Sequence, residues 1–156
     1  MPTAWIALGS NLGDRAGTLR AAFAALSRLP GIQGARLSPF YETEPVGPPQ
    51  PAYLNACAHL EVDDPDPRSF LRALLDTEGA FGRVRGERWG PRTLDLDLLM
   101  FGRVVLDEPG LILPHPRMQE RAFVLKPLAD LDPGLRHPVS GRTVAELLAS
   151  VEVPHG

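Results

Sequence analysis

Lysine is almost missing from this 156-residue chain: Lys126 is the only one, and arginine supplies the remaining positive charge. Arginine suits planar, two-pronged contacts to phosphate or carboxylate. Its abundance alone is read as compositional bias, so only arginines at particular places carry a functional claim. Cysteine is equally scarce. Cys57 stands alone, which excludes an intrachain disulfide and fits a reducing compartment. No apolar run approaches the roughly 20 residues of a membrane span, and "PTAWIALGSN" follows the first methionine without a basic leader. A cytoplasmic protein with no membrane association is expected. Positive charge is not in excess either. The net charge of −3 argues against a general nucleic-acid-coating role. Repeats and low-complexity linkers are also missing. With 44% hydrophobic and 22% charged residues, the expectation is one folded domain, 1–156, with nothing fused to it. Proline, by contrast, is plentiful. Seventeen residues point to stiff loops and a heat-tolerant source.

The pattern along the chain alternates strand and helix signals. "TAWIAL", Thr3 to Leu8, reads as a buried strand, and "GSNLGD" as the turn into a helix. Asp14 is placed to cap that helix, which runs to about Leu29 on a stripe of Ala21, Ala22, Ala25, Leu26 and Leu29. "IQGARLSPFYETEP" reads as one strand bent near Ser38-Pro39, and Val46 to Ala52 as a proline-rich loop. Tyr53 to Val62 alternates, with Leu54, Ala56, Ala58, Leu60 and Val62 on one face and Tyr53, Asn55, Cys57, His59 and Glu61 on the other. Asp66-Pro67 opens a second helix running to about Phe81, with Phe70, Leu71, Leu74 and Leu75 inward. Leu94 to Phe101 is the next strand. Arg103 to Leu106 is expected to pair back on it through Gly102, and a short helix spans Thr143 to Ala149. The order β-α-β-β-α-β predicts an α+β, ferredoxin-like core: an antiparallel sheet with helices on one face, plus C-terminal additions. The other face is then free for a site.

Two aspartates inside an apolar strand need explaining. Asp95 and Asp97 stand at i and i+2 in "RTLDLDLLMFG", on one strand face, roughly 6.5–7 Å apart at Cα. Aspartate is a poor strand former, and like charges side by side are a cost. Paired carboxylates suit Mg²⁺, whose shell is completed by water and substrate phosphates. A solvated face with two harmless aspartates is the bland alternative. Arg83, Arg85, Arg88 and Arg92, four arginines within ten positions, weigh against it by offering charge for a polyanion. Gly82, Gly86 and Gly90 imply a loop able to close. Tyr53 and Trp89 offer flat apolar faces and Asn55 an amide, a set that suits a planar heterocycle. Burial in the core is the competing reading for Trp89. His115 and Arg121 stand close together, His115 either bonding a phosphate or remaining neutral and structural. The other histidines show no ligand spacing, Cys57 has no base near it in sequence, and no serine stands in a nucleophile elbow.

"IALGSNLGD", "FYETEPVGP", "YLNA", "GRVRGERWGPRTLDLDLLMFG" and "LPHPRMQERAFVLKPL" occur in an order that resembles the 6-hydroxymethyl-7,8-dihydropterin pyrophosphokinases of folate biosynthesis, over nearly the whole chain. The resemblance implies transfer of pyrophosphate from ATP to the pterin hydroxymethyl group, with AMP released. It implies that Asp95 and Asp97 hold two Mg²⁺. Thr43, Val46, Tyr53, Asn55, Trp89 and Phe123 would form the pterin pocket, Trp89 and Phe123 sandwiching the ring. Glu78, Arg85, Arg88, Arg92, Leu98, His115 and Arg121 would surround the nucleotide. Arg83 and Arg92, with Asp95 and Asp97, would act on the transferring group. Glu44 and Pro116 depart from the usual family residues, and the arginine loop is one residue shorter.

Two rival readings come from other classes. A ferredoxin-like RNA-binding module would carry adjacent aromatics on its central strands, where this chain has acids. A two-metal phosphodiesterase is permitted by the paired aspartates but wants more carboxylate or histidine ligands. Small-molecule substrates, with no nucleic acid, membrane or obligate protein partner, remain the expectation.

Overall fold

The computed structural model describes residues 2–11, 13–43, 52–82 and 94–152. Thr3–Ser10 (β1) runs through the middle of the molecule, with Ala4, Ile6 and Leu8 at most 1% exposed. The chain then turns at Gly13, whose φ of 67° is left-handed and costs little without a Cβ. Asp14 caps the helix Arg15–Ser27 (α1) as expected: its Oδ1 accepts the Gly17 N–H at 3.0 Å. Leu19, Ala22 and Leu26, at i, i+3 and i+7, are the buried stripe. Ala21 is exposed, which corrects the expected stripe: it lies about 100° around the helix from Ala22.

The strand expected to bend at Ser38-Pro39 is two strands, Ile32–Leu37 (β2) and Tyr41–Thr43 (β3), both antiparallel to one edge of Tyr53–Val62 (β4). The break has a local cause. Pro39 has no N–H to donate, and Ser38 bridges the gap. The Ser38 N–H donates to the Cys57 carbonyl at 2.9 Å, and the Cys57 N–H donates to the Ser38 hydroxyl at 2.9 Å. On its other edge β4 pairs with β1, which pairs in turn with Asp95–Phe101 (β5). The sheet order is β2-β4-β1-β5, entirely antiparallel.

The helix Pro67–Gly82 (α2) starts where Asp66 accepts the Arg68 N–H and the Ser69 hydroxyl. It buries Phe70 and Leu74, whereas Leu75, expected inward, is 52% exposed. With α1 it covers one sheet face, meeting Ala4, Ile6, Leu8, Ala56, Ala58, Leu60, Leu94, Leu96 and Leu98. The Phe70 and Phe101 rings are 5.9 Å apart in this core.

The opposite face is not wholly free, which corrects that expectation. Ala122–Leu131 (α3) and Val144–Glu152 (α4) pack there over Trp5, Cys57, Leu99, Met100 and Met118 as a second core. The α3 helix forms although Pro127 lies inside it: the proline is buried, and apolar packing outweighs its lost N–H. At the start of α4, Thr143 and Glu146 form a reciprocal capping box: the Thr143 N–H donates to Glu146 Oε1 at 3.0 Å, and the Glu146 N–H to Thr143 Oγ1 at 3.1 Å.

Beyond β5 the expected return hairpin does not form. Gly102 (φ 56°) turns the chain away, and Leu106–Glu108 (β6) pairs instead with Leu111–Leu113 (β7) around Gly110 (φ 81°) in a separate two-stranded sheet. Within β5 a bulge breaks the two-residue period. Ile6 pairs with Leu98 and Trp5 with Met100, so Leu99 is an extra residue. Leu98 therefore faces α1 and α2, Leu99 and Met100 both face α3 and α4, and Phe101 returns to the first core.

Candidate active site

α3 and α4 cover only the Trp5–Cys57 end of their face. At the other end a cavity of about 420 Å³ remains, lined by Ala7, Gly9, Thr43, Tyr53, Asn55, Asp95, Asp97, Leu99, His115, Met118, Arg121, Phe123 and Val124, among others. Eight of the residues expected at the site meet here: Thr43, Tyr53, Asn55, Asp95, Asp97, His115, Arg121 and Phe123. They come from β3, β4, β5, the segment after β7 and α3, which are distant in sequence.

The carboxylates lie where strand alternation puts them. Leu94 and Leu96 are buried under the helices, at 0% and 5% exposure, while Asp95 and Asp97 turn into the cavity. Across the β1–β5 ladder Asp95 pairs with Gly9 and Asp97 with Ala7. Neither neighbour carries more than a Cβ, so the floor beside the acids is open. Gly9 leaves room there: a Cβ on it would sit 3.3 Å from Asn55 Oδ1, so the amide would have to give by a few tenths of an ångström, and 3.6 Å from Tyr53 Cδ1. No cluster of three or more acidic, histidine or cysteine ligands occurs among the described residues. Two carboxylates with open space around them still fit Mg²⁺, which keeps waters and binds through one or two carboxylates plus phosphate.

On the β4 side, Asn55 is 8% exposed and its Nδ2 donates to Thr43 Oγ1 at 2.7 Å. That bond fixes the amide and leaves Oδ1 as an acceptor near the cavity floor. On the other side, the His115 N–H donates to the carbonyl of the bulged Leu99 at 2.8 Å, tying the histidine to β5. His115 Nδ1 accepts the Arg117 N–H at 3.1 Å, so the neutral ring carries its proton on Nε2. Burial pushes the His115 pKa down, Asp97 opposes this, and Arg121 and Arg117 add to it. The ring is thus a neutral donor at neutral pH. The Arg121 guanidinium lies 5.6 Å from the Phe123 ring centroid.

Other expected residues lie elsewhere. Leu98 is 6% exposed in the first core, facing away from the cavity. Glu78, on α2, accepts the Leu96 N–H at Oε2, 2.8 Å away, and so secures β5 without lining the cavity. Val46, Arg83, Arg85, Arg88, Trp89 and Arg92 lie outside the described residues, as do Glu44 and the rest of the arginine loop. Cys57 is fully buried, burial raises its thiol pKa, and its Sγ meets the Val124 carbonyl at 3.5 Å, so it is packed and unreactive as expected. The sequence reading missed Ala7, Gly9, Leu99, Met118 and Val124. Ala7 and Gly9 were within reach of it: small residues at i and i+2 of β1 share a face that must meet Asp95 and Asp97. Met118 and Val124 give no such signal, because no strand or helix period marks their segment in the sequence.

Fold and cavity together define an α+β, ferredoxin-like domain whose cavity brings paired carboxylates up to cationic and amide groups. Residues 5–133 match the family model for 7,8-dihydro-6-hydroxymethylpterin-pyrophosphokinase. The chain is 50% identical over 147 residues to a 2-amino-4-hydroxy-6-hydroxymethyldihydropteridine pyrophosphokinase of Pseudomonas aeruginosa, covering 94% of this chain and 90% of that protein. A protein of the same name from Synechocystis is 44% identical over 147 residues, covering 94% and 75%. Among solved structures, a Plasmodium falciparum HPPK-DHPS triple mutant with SDX-DHP superposes with a TM-score of 0.75 at 16% identity, over 96% of this chain. The chain spans 44% of the length of that structure's chain, and the likeness shows the fold. The chain belongs to the 6-hydroxymethyl-7,8-dihydropterin pyrophosphokinase family.

Proposed function

We propose that the chain transfers the pyrophosphoryl group of ATP to the hydroxymethyl oxygen of 6-hydroxymethyl-7,8-dihydropterin and releases AMP, in the cytoplasm and with Mg²⁺. The observation that carries this reading is the meeting, in one cavity, of Asp95 and Asp97 with the Thr43–Asn55 pair on one side and His115 and Arg121 on the other. The relatives named above carry the same activity in their names.

Transfer of a phosphoryl group needs positioning and charge stabilisation more than covalent help. Thr43 and Asn55 offer a fixed amide to the edge of a pterin, and Tyr53 and Phe123 offer apolar surface to its ring. His115, neutral, donates from Nε2 without adding charge, and Arg121 meets phosphate oxygens with a planar fork. Asp95 and Asp97 would hold the two Mg²⁺. Bound there, the ions would neutralise phosphate charge and lower the pKa of the acceptor hydroxyl. The proton leaving that hydroxyl has Asp97 as an acceptor within the cavity. From the loop outside the described residues, Trp89 would cover the pterin, and Arg83 and Arg92 would face the transferring group, with Arg85 and Arg88 on the nucleotide.

The test is the nucleotide product. With MgATP and the hydroxymethyl-dihydropterin, one AMP should form per pterin consumed. ADP as the product, or hydrolysis without pterin, overturns the reading.

A further inference from the structure

Arg15 is not a cavity residue, yet it bonds to both chain segments that deliver the Thr43–Asn55 pair. Its Nη2 donates to Glu42 Oε2 at 3.0 Å, and its Nη1 donates to the Ala52 carbonyl at 2.7 Å. Glu42 immediately precedes Thr43, and Ala52 immediately precedes Tyr53. In the β3–β4 ladder Thr43 pairs with Tyr53, Glu42 with Leu54 and Tyr41 with Asn55. β3 is only three residues long, so its ladder gives it little support of its own. One guanidinium therefore joins the start of α1, the edge strand and the first turn into β4.

The residue type runs against its local setting. A cation in the first turn of a helix faces the positive end of the helix dipole, which is unfavourable. Helix formation does not ask for arginine at this position; the tertiary contacts do. The ion pair alone is weak, since the side chains of Arg15 and Glu42 are 29% and 55% exposed. The shared geometry matters more. Only a planar fork reaches the carboxylate and the carbonyl together, and lysine offers one compact point of charge.

We infer that Arg15 is a positioning residue for the pterin end of the cavity, holding β3 against β4 so that Thr43 Oγ1 stays within hydrogen-bond reach of Asn55 Nδ2. This rests on the pyrophosphokinase reading. The placement assigns Arg15 to the acceptor substrate and leaves the nucleotide side, built on β5, His115 and Arg121, untouched.

The test compares wild type with Arg15→Met, Arg15→Lys and Glu42→Gln. Each is measured for pterin KM, ATP KM, kcat and Tm, and for calorimetric binding of hydroxymethylpterin in the presence of a non-hydrolysable ATP analogue. Arg15→Met should raise pterin KM and Kd about tenfold, the loss of a charged hydrogen bond, with ATP KM and kcat within about twofold. Arg15→Lys should recover part of the loss, and Glu42→Gln should show a smaller rise of the same kind. Unchanged pterin KM and Kd in Arg15→Met overturns the inference. So does a rise in both KM values together with a fallen Tm, which marks a purely structural role. Failure of wild type to form AMP from ATP and the pterin would instead remove the functional reading beneath it.

Discussion

Asn55 and Thr43 are joined across neighbouring strands by a 2.7 Å hydrogen bond at the cavity wall, where Asn55 is 8% exposed. An amide so nearly buried must be satisfied and is thereby fixed in orientation. Thr43→Val keeps the side-chain volume and removes the acceptor. It should raise pterin KM about tenfold, equivalent to about 1.4 kcal/mol, with ATP KM unchanged. Kinetics with each substrate varied in turn will show it; an equal rise in both KM values contradicts the assignment.

Asp95→Ala and Asp97→Ala should abolish turnover without unfolding the protein. Both side chains face the cavity while their leucine neighbours anchor the strand, and removing one of two like charges relieves repulsion. Thermal melts should match or exceed wild type while AMP formation falls by orders of magnitude. Near-normal activity of either variant with Mg²⁺ refutes the metal assignment.

Gly9→Ala places a methyl 3.3 Å from Asn55 Oδ1 on the cavity floor. Gly9→Val adds two further carbons to that floor. Pterin binding should weaken severalfold in the first and collapse in the second, while Tm falls by only a few degrees. Calorimetry and thermal melts measured side by side will separate a filled site from a damaged fold.

Acid should destabilise the protein through its histidines. Burial lowers the pKa of His115, His59 and His137 below the ordinary value. His137 is 3% exposed, and its Nδ1 accepts the N–H groups of Val139 and Ser140 at 3.3 and 3.2 Å. A histidine with a lowered folded pKa binds its proton more readily when unfolded. Its contribution is complete above about pH 6.5 and is lost as the pH falls toward the folded value. Urea midpoints should therefore drop between pH 7.5 and 5.5, and His137→Gln should flatten that slope. A pH-independent midpoint in wild type contradicts this account.

Alternation and helix signals in the sequence carry β1, α1, β4, α2 and β5, and strand period alone puts Asp95, Asp97 and Asn55 on one face. What stayed hidden depends on tertiary context. Pro127 masks α3, because local preference disfavours a helix that packing against Cys57 and Trp5 makes favourable. Gly102 can turn a chain either back or away, and only the pairing of Leu106–Glu108 with Leu111–Leu113 decides which. His115 and Arg121 reach the cavity through the segment joining β7 to α3, whose course no periodicity describes. Leu98 is one residue from Asp97, and its side chain faces the opposite side of the sheet, in the first core.

Leu99 is the extra residue in a strand whose two ends do different work. Before it, alternation gives Asp95 and Asp97 to the cavity and Leu96 and Leu98 to the first core; after it, Met100 goes to the second core and Phe101 to the first. Its own side chain, 2% exposed, packs in the second core and reaches the cavity, while its carbonyl receives the His115 N–H. One inserted residue thus couples the packing of that core to the position of the cavity's far wall. Neither can be altered at this point without the other, because a deletion would remove a buried leucine and the histidine's anchor in one stroke.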